Sequence, residues 1–71
     1  RRKPTRNFLL RIAIFTSLSL DETQKMLTIA QRPQLYPRNR FDAAIIFSLE
    51  HKMSLDETYE LLEEIGEEPL N

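Results

Sequence analysis

The chain of 71 residues contains no cysteine, no tryptophan, one histidine and one glycine. Without cysteine there is no disulfide, thiolate metal site or thiol nucleophile, and one histidine does not build a zinc centre. A single glycine excludes the glycine-rich loop that cradles phosphates. No apolar run is long enough for a membrane span, and no basic–apolar–small leader is present, so a cytoplasmic setting is expected. The first residue is Arg rather than Met, and the chain reads as a piece of a longer protein. At this length one domain is expected, with a thin core. No nucleophile–base pair, ligand cluster or cofactor motif is found, so the chain is read as neither enzyme nor cofactor carrier.

The net charge of −1 hides a sorted distribution. Residues 1–40 hold nine basic and two acidic side chains, a net of +7; residues 41–71 hold one basic and nine acidic, a net of −8. Such asymmetry suits a polyanion-facing end joined to a partner-facing or solvated end.

A duplication organises the sequence. Ser19-Leu20-Asp21-Glu22-Thr23 recurs 35 residues later as Ser54-Leu55-Asp56-Glu57-Thr58, and Leu27 falls over Leu62. Upstream, Pro4 and Phe8 align with Pro37 and Phe41 at a spacing of 33. The repeats cover about 4–35 and about 37–70. Two units are too few for a solenoid, so the expectation is an all-α, compact four-helix bundle of two repeated helical hairpins in a single domain.

The spacing places helices at about Arg6–Thr16, Leu20–Ala30, Arg40–His51 and Leu55–Ile65. Ser19 with Glu22, and Ser54 with Glu57, have the S-x-x-E spacing of a capping box, in which hydroxyl and carboxylate satisfy each other's backbone amide. The acidic first turns suit the helix dipole, as His51 does near a C-terminus. Gly66 marks the last stop. The second and fourth helices have one apolar stripe each. The first and third are apolar around most of their girth and are expected at the centre. In the first helix Phe8, Leu9, Ile12 and Phe15 share one side. Phe8 and Phe41, as repeat equivalents, are assigned to the core, leaving Leu10 and Ile14, with Phe47 of the third helix, as a candidate partner surface. Arg38, Arg40 and Tyr36 join that surface as a second basic cluster, although a tyrosine between prolines also suits packing across the repeat junction together with Leu35.

Residues 1–30 resemble the tail of the lambda-repressor-like, or XRE-type, helix-turn-helix domain. The resemblance is carried by Arg1, Arg2, Pro4 and Thr5 as the turn after a recognition helix, then Leu9, Ile12 and Ala13. A Leu18-Ser19-Leu20-Asp21-Glu22 step into the last helix completes it. Residues 37–65 resemble it more loosely, as a copied helix pair. The resemblance implies a non-catalytic module of a bacterial DNA-binding transcriptional regulator, making protein–protein contact or a homodimer. Arg1, Arg2, Lys3 and Arg6 would then lie against DNA phosphate. The family's recognition helix has no counterpart in this sequence, so this chain alone is expected to bind DNA weakly or not at all. The alternative is a death-fold-like helical adaptor unrelated to DNA.

Overall fold

The computed structural model describes residues 2–71. Four helices follow in order: α1 Arg6–Phe15, α2 Leu20–Ile29, α3 Arg40–Glu50 and α4 Leu55–Glu64. Each starts where the sequence predicts and ends one residue earlier, the expected last residue being the C-cap in every case.

Each start is closed by a side chain, which satisfies amides that have no partner within the helix. Thr5 accepts from the Phe8 amide and Asn39 from the Asp42 amide. Both capping boxes form: Ser19 Oγ accepts from Glu22 N at 3.0 Å while Glu22 Oε1 accepts from Ser19 N at 2.9 Å. At the second box the distances are 3.1 and 2.8 Å. The final threonine of each S-L-D-E-T run is buried, and its hydroxyl donates to the serine carbonyl four residues back. The serine, glutamate and threonine of each repeated pentapeptide thereby have local structural tasks.

The four helix ends are also alike. The chain turns left-handed at Ser17, Gln31, Lys52 and Gly66, and paired amide bonds close each end, as in Ser17 N to Ile14 O with Leu18 N to Ala13 O. This is the Schellman arrangement, which satisfies orphaned carbonyls. Only Gly66 adopts that backbone without Cβ crowding.

The central helices are α1 and α3, each packing against the other three, whereas α2 and α4 do not touch. Exchanging the hairpins maps the α1–α4 contact onto α3–α2, so the two repeats close on each other about a pseudo-two-fold axis. The core holds Leu9, Leu10, Ala13 and Ile14 of α1, Leu27 of α2, Ala44, Ile45 and Leu49 of α3, and Leu62 of α4. Leu35 and Leu70, each beyond the end of its hairpin, complete it.

The structural register is 35 except at the α1 and α3 starts, which lie 34 apart. From residue 6 to residue 36, burial matches that of the residue 35 further on everywhere except at Asn7/Asp42 and Ser19/Ser54. Two expectations are corrected by this. Phe8 is the counterpart of Ala43, not of Phe41, and it is exposed rather than core. The Pro-to-Phe spacing of 33 misleads because Arg38 adds one residue before the α3 cap and α3 is one residue longer than α1. Ile12 and Phe15 likewise lie outside the core. Conversely Leu10 and Ile14 are 0% and 3% exposed and form no surface. α1 is apolar all round, and the pseudo-symmetric packing selects the side that matches Ala44, Ile45 and Leu49.

Candidate interaction surface

The basic start divides into parts with different fates. Arg1 lies outside the described residues, and Arg2 and Lys3 are exposed. Arg6 is not available to phosphate. Its guanidinium donates to both Asp42 oxygens at 3.0 and 2.9 Å, to Pro33 O at 2.9 Å and to Gln34 O at 3.0 Å. Asp42, buried in the first turn of α3, also accepts from Tyr36 N at 2.9 Å. The Gln24 amide holds both backbone groups of Leu35, at 2.9 and 2.7 Å. Arg6, Gln24 and Asp42 together clasp the inter-repeat segment. A cation with this many fixed acceptors is a structural strut.

The second basic cluster is also split. Leu35 is buried, but the Tyr36 ring points to solvent, so only Leu35 seals the repeat junction. Arg40 donates to Ile65 O and lies 3.8 Å from Glu67, which places a cation at the carbonyl end of α4. Arg38 is exposed. Phe47 is exposed and stacks on His51 with ring centroids 3.9 Å apart; His51 caps α3 and donates from Nδ1 to Phe47 O. Of the expected partner surface, Tyr36, Arg38, Arg40 and Phe47 face solvent, and Arg40 and Phe47 line one open groove with Ala43, Ala44, Leu61 and Ile65.

Further exposed apolar side chains lie on hairpin 1, the α1–α2 pair. Phe8, Ile12 and Phe15 run along one side of α1, and Phe15 is 77% exposed. On α2, Ile29 is 83% exposed. Leu18, Glu22, Lys25, Met26, Ile29 and Ala30 line an open groove of about 460 Å³. A second groove runs beside α1 between Phe8, Ile12, Phe15 and Leu55, and the Arg11 guanidinium lies 5.8 Å from the Phe8 ring centroid. Carrying the 35-residue register upstream from S-L-D-E-T sets Phe15 against Glu50, a sequence signal that this side of α1 faces solvent.

Electrostatics at the groove edge are local. Lys25 Nζ is 3.4 Å from Asp21. Glu22 titrates below the usual carboxylate range, chiefly because the Ser19 amide donates to it and then because of the Ser19 hydroxyl. Among the described residues no group of three or more His, Cys, Asp or Glu side chains could hold a metal ion. No described helix is long and apolar enough to cross a membrane. No family model, curated protein or solved structure matches the chain.

Proposed function

We propose that the chain is a non-catalytic helical module of a helix-turn-helix transcriptional regulator, working by protein–protein contact through hairpin 1. The observation that carries the contact is the exposed Phe8, Ile12, Phe15 and Ile29 set. These side chains line two open grooves of hairpin 1, and clustered exposed apolar groups mark association surfaces more often than scattered ones do. The regulator context is supported by the R-R-K-P-T turn and the L-S-L-D-E step of the sequence. In this reading Arg2 and Lys3 contact phosphate, which positions a protein without reading bases, while Arg6 contributes only by holding the fold.

Anisotropy of a labelled DNA duplex titrated with the chain tests this reading. Weak, sequence-indifferent binding that disappears with added salt is expected, since phosphate contacts release counterions. Arg2→Ala with Lys3→Ala should weaken it further. Sequence-preferring binding would place a base-reading element within these residues and overturn the assignment. Absence of binding at the lowest salt would remove the phosphate role of Arg2 and Lys3 and leave the adaptor alternative equally open. That alternative is supported by the sorted charge, with the exposed Glu60, Glu63 and Glu64 of α4 set against a basic start.

A further inference from the structure

The two hairpins share backbone, register and burial, so each is an internal control for the other. Where hairpin 2, the α3–α4 pair, carries Glu50, Glu60 and Glu64, hairpin 1 carries Phe15, Lys25 and Ile29 at the same 35-residue register. All six positions are exposed. The fold therefore tolerates glutamate at these places, and the exposed Phe15 and Ile29 are not needed to build it.

We infer that the α2 face of hairpin 1 is a self-association surface, on which a second copy of the chain docks antiparallel about a two-fold axis. The inference rests on the protein-contact reading and names the partner. Glu22, Lys25 and Ile29 recur at spacings of three and four, which keeps them on one side of α2, and Leu18, just before the Ser19 cap, lines the same groove. In an isologous contact each pair occurs twice. Pairing residues whose numbers sum to 47 sets Ile29 of one copy on Leu18 of the other and, between them, Lys25 on Glu22. The stripe is thus complementary to itself, with two apolar contacts flanking two opposite-charge contacts. Hairpin 2 fails the same operation. Its counterparts are Met53, Glu57, Glu60 and Glu64, and a two-fold pairing sets Glu57 against Glu60 twice. By register, Phe8 and Ile12 correspond to Ala43 and Phe47, which line one groove with Leu61 and Ile65. Phe8 and Ile12 themselves line a separate groove with Phe15 and Leu55, outside the α2 stripe.

Sedimentation equilibrium of the whole chain, from about 10 µM to about 1 mM to cover weak association, tests the pairing. A monomer–dimer equilibrium is expected, persisting at about 1 M salt, where the screening length is only about 3 Å. Ile29→Glu, which installs the residue hairpin 2 carries there, should weaken it at least tenfold with unchanged circular dichroism. Lys25→Glu should weaken it less and regain affinity as salt rises, because glutamates would then face one another. Phe47→Glu on hairpin 2 should leave it unchanged. A single 8.4 kDa species throughout, or a dimer indifferent to Ile29→Glu, would overturn the inference. So would dissociation in high salt with equal loss in Phe47→Glu, the signature of head-to-tail contact between the two hairpins. A monomer would leave the DNA titration outcome untouched, so the two readings fail separately.

Discussion

Hairpin 1 and hairpin 2 are built alike and finished differently. Leu10, Leu27 and Leu35 of the first occupy the places of Ile45, Leu62 and Leu70 in the second. The caps, the left-handed helix ends and the buried threonines also correspond. Divergence is concentrated where solvent tolerates any polar residue. There the first hairpin keeps Phe15, Lys25 and Ile29 while the second has only glutamate. Burial constrains a position through packing, whereas an outer face constrains it only if something binds there. The sorted charge of the chain is therefore largely a property of its surface, apart from the Arg6–Asp42 clasp that holds the fold.

The largest test of the correspondence is in the core. Leu27→Ala and Leu62→Ala remove fully buried counterparts, and each should cost about 3 kcal/mol in chemical denaturation. Unequal costs would show that the pseudo-symmetry is geometric but not energetic. Next is a contact between the hairpins that has no pseudo-symmetric counterpart. Asp42→Ala strips the acceptor from Arg6 and the Tyr36 amide and should cost about 2 kcal/mol. At the matching place of the other repeat stands Asn7, whose substitution should have a smaller effect by the same measurement.

Ser19→Ala and Ser54→Ala should each cost about 1 kcal/mol in thermal unfolding. The first cap also carries a pH signature. Because folding lowers the Glu22 pKa, its contribution is complete above the ordinary carboxylate range and is lost as pH falls through the depressed value. Melting temperatures of Glu22→Gln should accordingly fall less steeply into acid than those of the parent chain. The smallest effect is a gain. Ser48, the counterpart of Ala13, buries a hydroxyl with no hydrogen-bond partner. Ser48→Ala should stabilise by up to about 1 kcal/mol, and a loss in the same assay would show that the hydroxyl is satisfied.

Much of this was legible in the sequence. S-L-D-E-T specified two helix starts with their caps, and apolar girth placed α1 and α3 at the centre. What stayed hidden had physical causes. In a helix apolar on every side, periodicity does not choose the buried face, so Leu10 and Ile14 exchanged roles with Phe8, Ile12 and Phe15. A run of basic residues gives no sign of which cation has acceptors waiting 27 to 36 positions away, as Arg6 does in Pro33, Gln34 and Asp42. Tyr36 between prolines looked like a seal, but its neighbour Leu35 takes the space. The outer face became readable only after the register was extended along the whole repeat and the hairpins were compared position by position.

The claim that the hairpins share a fold but not a surface is tested most directly by amide chemical shifts followed on dilution. Concentration-dependent changes confined to hairpin 1, strongest from Leu18 to Ala30, with α4 unmoved, are the expected result. Changes centred on Glu57–Glu64, or shifts that never move across the accessible concentrations, would contradict it.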